Sequence, residues 1–97
     1  MSEELDPSPV LAALAGDPQL RAYVRNGAIA VLPGKLSRRR LLLQAIVGGF
    51  EPGVRYPEQD VSQFLGALHP DYAALRRYMV DEGLLSRADG LYWRSGN

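Results

Sequence analysis

Apolar residues recur at helical spacing in two segments in the middle of the chain. The first segment begins after Ser37, whose hydroxyl suits a helix N-terminus, and ends at Gly48-Gly49. Its apolar positions are Leu42, Leu43, Ile46 and Val47, and Phe50 continues the same spacing after the glycines. The second segment begins at Pro57 and carries an i, i+3, i+4, i+7 stripe made of Val61, Phe64, Leu65 and Leu68. Both segments are therefore predicted to be amphipathic helices that need an apolar partner surface.

A third helix and a hairpin are predicted to follow with almost no linker. His69 and Pro70 end the second helix, and the third runs from Pro70 to about Glu82. So short a turn between two amphipathic helices is typical of a helix-turn-helix. Gly83 suits the left-handed position after a helix C-terminus. Asp89-Gly90 predicts a turn between two wing strands, over residues 84–87 and 91–94.

The N-terminal third has weaker signals. Residues 1–8 are expected to form a disordered acidic tail, and residues 9–34 an N-terminal helical extension with one strand. Short helices are predicted over residues 10–15 and 18–25, the second capped by Asp17, and a strand over residues 28–32. Residues 35–97 form the predicted winged-helix domain. The expected fold is α+β, mainly α: a winged helix-turn-helix with an N-terminal helical extension and a small antiparallel sheet.

Composition narrows the possible chemistry. The 97 residues correspond to one domain, and the absence of cysteine excludes disulfides, thiolate zinc sites and cysteine nucleophiles. No apolar run is long enough to cross a membrane, and the acidic N-terminus is unlike a signal peptide, so we expect a cytoplasmic protein without a membrane partner. His69 is the only histidine, and no nucleotide or hydrolase fingerprint is present. We expect no catalytic residue, no metal and no cofactor; His69 is expected to cap a helix or lie on the surface.

The formal net charge of zero hides an asymmetry. Residues 1–17 carry four acidic side chains and no basic one, whereas residues 18–97 carry eleven basic against seven acidic. Ten of the eleven bases are arginine, which suits bidentate contacts with phosphate or guanine. A GC-rich genome explains the arginine content equally well, so composition alone does not decide the matter.

The two adjacent arginines of the third helix are predicted to differ. Arg76 falls inside the apolar arc, and we expect its guanidinium to reach a carboxylate of Glu58, Asp60 or Asp71. Arg77 falls on the outer face.

Arg77 is predicted to share that outer face with Ala73 and Ala74. Two small alanines would allow close approach to a DNA groove, where Arg77 contacts guanine or phosphate. Asp81, one turn further on, is an alternative partner for Arg77.

A second basic group consists of Lys35, Arg38, Arg39 and Arg40 at the start of the first amphipathic helix. Because basic side chains oppose the helix dipole there, an anion bound at that end would offset their cost. The alternatives are a solvated basic face or pairing with the acidic tail.

In the wing, Arg87 and Arg94 are candidate phosphate contacts or solubilising charges. Strand alternation puts Trp93 on one face and Tyr92 on the other, and Trp93 is the one expected in the core.

The order of residues from position 32 to position 94 resembles the bacterial domain of unknown function number two-thousand-eighty-seven, which occurs alone or fused behind ArsR-type transcriptional regulators. The strongest matching pieces are Asp71-Tyr72-Ala73, Leu75-Arg76-Arg77, Val80-Asp81, Gly83-Leu84-Leu85 and Gly90 with Tyr92-Trp93-Arg94. The resemblance implies a winged-helix-like fold and a role in transcriptional regulation, with no established activity. Pro57 stands where the family usually has a helix-capping Thr.

The resulting hypothesis is a non-catalytic winged-helix DNA-binding protein in transcriptional regulation. We expect a homodimer formed by the N-terminal helices around Leu11, Leu14 and Leu20. The alternative is a protein-protein interaction module of a regulatory complex that does not itself bind DNA.

Overall fold

The computed structural model describes residues 5–96, which form four α-helices and two small antiparallel sheets. The elements in chain order are α1 (Pro7–Gly16), a 3₁₀ turn (Arg21–Tyr23), β1 (Val24–Arg25), β2 (Ala28–Ile29), α2 (Leu36–Val47), β3 (Tyr56–Pro57), α3 (Glu58–Leu68), α4 (Tyr72–Asp81), β4 (Leu85–Ala88) and β5 (Leu91–Arg94). The fold class is α+β, as expected.

The N-terminal helix starts earlier than expected. Asp6 caps α1 by accepting a hydrogen bond from the amide of Ser8 at 3.0 Å, and Pro7 occupies the first turn. Leu5 packs against the core. Residues 5–8 are therefore ordered, which corrects that part of the predicted disordered tail; residues 1–4 lie outside the described residues.

The helix predicted over residues 18–25 is wrong. The Asp17 carboxylate accepts from the amide of Gln19 at 2.8 Å, but only a turn and one 3₁₀ turn follow. Asn26 and Gly27 then adopt positive φ, 53° and 75°, and join β1 to β2 in a tight hairpin. The predicted strand over residues 28–32 is correspondingly short, since β2 ends at Ile29.

One hydrophobic core joins the N-terminal extension to the rest of the chain. The stripes of α2 and α3 are buried as predicted, and Phe50 packs edge-on against Tyr56 and Phe64 with centroids 5.5 and 5.4 Å apart. Leu14 and Leu20 are buried in this same core. They are therefore unavailable for the dimer contact expected of them, and only the half-buried Leu11 has surface left.

The C-terminal end of α4 agrees with the prediction, but its N-terminal end does not. The helix begins at Tyr72 instead of Pro70, because the Asp71 carboxylate caps it through the amide of Ala74 at 3.2 Å. At the other end Gly83 has φ +75°, as predicted, and the amide of Leu84 donates to the carbonyl of Met79 at 2.9 Å, which completes a Schellman cap. In contrast, α2 begins at Leu36 without a side-chain cap, so the expected Ser37 cap is wrong.

The three C-terminal strands form an antiparallel sheet in the order β3-β5-β4. Asp89 and Gly90 adopt positive φ, 54° and 76°, and turn the β4–β5 hairpin as predicted. Tyr92 is the fully buried residue of β5, whereas Trp93 is only half-buried. The alternation of faces was right, but the expected core position of Trp93 is wrong.

Candidate nucleic-acid interface

An open cleft of about 290 Å³ lies between α4 and the β4–β5 hairpin. Its lining consists of three arginines, one aspartate and three uncharged residues: Arg76, Arg77, Arg87, Asp81, Ala73, Val80 and Tyr92. We call it the α4 cleft. Three of the residues predicted at a DNA interface, Ala73, Arg77 and Arg87, lie in it.

Arg76 has the structural position predicted for it, but not the predicted partner. Its side chain is half-buried, and Nη1 donates to the Oγ of Ser62 in α3 at 2.7 Å. The guanidinium lies 5.9 Å from the centroid of the Tyr92 ring. The expected bond to Glu58, Asp60 or Asp71 is wrong, because the guanidinium donates to the Ser62 hydroxyl of the neighbouring helix α3 instead.

Tyr92 forms the floor of the α4 cleft. Its hydroxyl donates to the Oε1 of Glu58 at 3.0 Å, and the guanidinium of Arg87 lies 5.7 Å from its ring centroid. Burial raises the pKa of the Tyr92 phenol, the hydrogen bond to Glu58 adds to this, and the charge of Arg76 acts in the opposite direction. The floor is therefore an uncharged phenol at neutral pH, so the charge of the cleft comes from its three guanidiniums and from Asp81.

The outer face of α4 differs from the prediction at one position. Arg77 and Ala73 are exposed, but Ala74 is buried, 8% exposed. The correction follows from packing, since α4 contacts both α3 and β4 and so buries a wider arc than one stripe. Asp81 lines the same cleft as Arg77, yet the pair is not within ion-pair distance; among residues 5–96 the ion pair found is Arg40 with Glu82.

The arginines at the start of α2 do not converge on a common anion. Arg38 Nη1 donates to the carbonyl of Gln19 at 3.1 Å, and Arg39 covers the Tyr78 ring at 4.6 Å. Arg40 Nε donates to the Glu82 carboxylate at 2.8 Å. The three side chains thus hold α2 against two other segments, the turn after α1 and the C-terminal end of α4, instead of converging on one anion site.

Two further predicted charges stand apart from the α4 cleft. Lys35 is exposed. Arg94 donates through Nη1 to the carbonyl of Phe50 at 3.3 Å and lines a separate cleft beside Trp93. The guanidinium of Arg55 covers Trp93 there. Sequence reasoning missed Arg55; it precedes β3, whose pairing with β5 brings it next to Trp93.

His69 lies at the C-cap of α3 and is half-buried. Its Nδ1 lies 2.6 Å from the carbonyl oxygen of Ile29, so the ring fastens the end of α3 to β2. Within the described range of the chain, no cluster of three or more potential metal-ligating side chains occurs. Among the helices of residues 5–96, none has the length and the apolar character needed to cross a membrane.

The residues that line the α4 cleft lie within the part of the chain that matches a known protein family. Residues 28–94 fit the model of a family described as an uncharacterized protein conserved in bacteria, DUF2087. The chain belongs to the DUF2087 family. Neither the curated proteins nor the solved structures gave a match.

The DUF2087 region begins at β2 and ends with β5, so it contains every residue that lines the α4 cleft. Helix α1 lies outside the match, although Val10 and Leu14 of α1 belong to the common core. The DUF2087 region of this chain is thus completed by a helix that the family model does not cover.

Proposed function

We propose that this DUF2087 protein binds double-stranded DNA as a winged helix-turn-helix and acts in transcriptional regulation, without catalysis. In this proposal α3 and α4 form the helix-turn-helix, and the β4–β5 hairpin forms the wing. The element order α2, β3, α3, α4, β4, β5 and the strand order β3-β5-β4 support this assignment. The expected cytoplasmic location fits such a role.

The charge of the α4 cleft carries the proposal. Three guanidiniums line it against one carboxylate, and within residues 5–96 none of the three is within ion-pair distance of a carboxylate. Guanidiniums without an ion-pair partner in an open cleft attract phosphate, for which arginine provides bidentate donors. A DNA backbone that passes between α4 and the wing would meet Arg77 on one side and Arg87 on the other.

Each candidate contact has a distinct part in the proposal. Ala73 is small and exposed, so it allows α4 to approach a groove floor. Arg77 contacts a base or a phosphate beside it. Arg87 contacts phosphate from the wing, and the exposed Lys35 adds long-range attraction. Arg38, Arg39 and Arg40 hold intramolecular partners, and Arg94 lines the separate cleft beside Trp93, so we assign them no primary duplex contact.

The second candidate is a protein-protein interaction module. The net charge of zero and the presence of Asp81 in the α4 cleft favour it, because a carboxylate there repels phosphate. Under this alternative the cleft binds a regulatory protein partner that carries both acidic and basic side chains, which pair with the arginines and with Asp81.

Fluorescence anisotropy with mixed genomic duplexes tests the proposal. We expect binding at low salt that weakens as salt rises, because DNA contacts release counterions. Arg77→Ala and Arg87→Ala should each weaken binding, whereas Arg21→Ala, an exposed arginine on the 3₁₀ turn, is the charge-matched control. No duplex binding even at low salt would reject the DNA proposal and leave the interaction module. Sedimentation of the same samples tests the homodimer that was expected from the sequence.

A further inference from the structure

A second cleft, of about 160 Å³, lies beside the exposed part of Trp93. It is lined by Gly53, Arg55, Trp93, Arg94 and Gly96, none of which lines the α4 cleft. Neighbouring residues of a strand point to opposite faces, so Trp93 faces away from the side on which Tyr92 floors the α4 cleft. We call this second site the Trp93 cleft.

Arg55 and Trp93 form a stacked pair in this cleft. The guanidinium carbon of Arg55 lies 3.9 Å from the centroid of the Trp93 ring, which is direct cation–π contact. Arg55 is exposed and Trp93 is half-buried, so the pair presents flat, polarisable surface to solvent. Tryptophan rings and guanidinium planes are the protein groups on which unpaired bases stack.

The rest of the cleft adds positive charge and space. Arg94 brings a second guanidinium, held in place by its bond to the Phe50 carbonyl, and no acidic residue is part of the described lining. Gly53 and Gly96 leave space at the edge of the cleft, because no atom lies within 4 Å of the position that a Cβ would take at either residue. The cleft is smaller than the roughly 300–1,000 Å³ of drug-sized pockets and suits a single ring system.

We propose that the Trp93 cleft binds a nucleotide. The base stacks on Arg55 and Trp93, and the phosphate contacts Arg94. The nucleotide is either a free one or an unpaired residue of a single strand, since both present the same base and phosphate. This site is separate from the α4 cleft, so the proposal does not depend on duplex binding.

Trp93 is the only tryptophan, so its fluorescence reports on the site directly. The full chain is titrated with AMP, adenosine, inorganic phosphate and oligo(dT). We expect saturable quenching by AMP or by oligo(dT), weaker binding of adenosine, and no quenching by phosphate. Tighter binding of oligo(dT) than of AMP identifies a single strand as the ligand, and the reverse identifies a free nucleotide. No saturable quenching by either, or equal quenching by phosphate and AMP, overturns the proposal.

Substitution of Arg55 provides the second test. Arg55→Ala should weaken nucleotide binding by about 5- to 150-fold, the range expected when a base loses one stacking partner. Arg55→Lys should lose most of the same affinity, because lysine keeps the charge but not the plane. Because Arg55 covers the fluorophore, titration midpoints are compared, not amplitudes. Arg25→Ala, an exposed arginine of β1, is the control. An equal loss in Arg25→Ala would show a net-charge effect and overturn the proposal.

A double variant separates the two clefts. Arg77→Ala with Arg87→Ala should abolish or weaken duplex binding and leave AMP or oligo(dT) quenching unchanged. If the wild-type chain binds duplex DNA but nucleotides do not quench its fluorescence, only the proposal for the Trp93 cleft is rejected. Quenching without any duplex binding rejects the proposed DNA function alone.

Discussion

Replacement of Arg76 by alanine should destabilise the fold, while the same change at the neighbouring Arg77 should not. Arg76 is half-buried and donates to Ser62 at 2.7 Å, so its removal leaves a part-buried hydroxyl without that donor. Arg77 is exposed and lies on the outer face of α4. The pair is a matched control in itself, since both substitutions remove one arginine from one helix.

The expected size follows from these contacts. A hydrogen bond to a charged group contributes about 1.5–3 kcal/mol net, and the half-exposed position of Arg76 favours the lower end. Because solvent reaches the half-exposed guanidinium and weakens the bond, we expect a loss of about 1–2 kcal/mol in the free energy of unfolding. For a domain of this size that lowers Tm by about 4–16 °C. Arg77→Ala should stay within about 0.5 kcal/mol of wild type.

Thermal denaturation followed by circular dichroism measures both variants. A double-mutant cycle with Ser62→Ala then isolates the bond, with an expected coupling energy of about 0.5–2 kcal/mol. If Arg76→Ala and Arg77→Ala melt at the same temperature, or if the cycle gives no coupling, the structural role of Arg76 is refuted.

Two other predictions concern the core and the sheet. Gly49→Ala should cost about 1–3 kcal/mol of stability, because its Cβ would lie 2.9 Å from Val10 Cγ2 and 3.0 Å from Phe64 Cζ. Gly34→Ala, where no atom lies within 4 Å, is the control, and equal urea midpoints would contradict the packing argument. For Tyr92, burial raises the phenol pKa above its ordinary value of 10.0, so the folded state favours the neutral form. Its contribution is complete below about pH 10 and is lost as pH rises through the raised pKa. As pH rises above 10, the free energy of unfolding of Tyr92→Phe, measured by urea titration, should therefore fall less than that of wild type. Parallel profiles of unfolding free energy against pH would contradict this.

Much of the C-terminal fold was predictable because its signals are local. The stripe of Val61, Phe64, Leu65 and Leu68 repeats at the helical period, and each member is buried. Gly83 and Asp89-Gly90 adopt the left-handed backbone that glycine and aspartate tolerate best. The membership of the DUF2087 family was also predicted from residue order.

The errors arose where local signals compete or where partners are distant. Asp17-Pro18 is a good helix start, but the Asn26-Gly27 turn pairs the following residues as a hairpin instead. Alternation along β5 gives two faces, and only the packing of the sheet decides that Tyr92 is the inward one. Arg40 and its partner Glu82 are 42 positions apart, so nothing in the sequence near Arg40 indicates that its charge is paired.

The salt dependence of duplex binding tests the central claim most directly. Each phosphate contact contributes about 0.9 to the slope of log K against log salt concentration. If Arg77 and Arg87 each neutralise one phosphate, the Arg77→Ala, Arg87→Ala double variant should have a slope smaller than that of wild type by about 1.8, the sum of the two contacts. The Arg21→Ala control should keep the wild-type slope. A double variant that binds duplex with the wild-type slope would contradict the assignment of the α4 cleft as the DNA-binding surface.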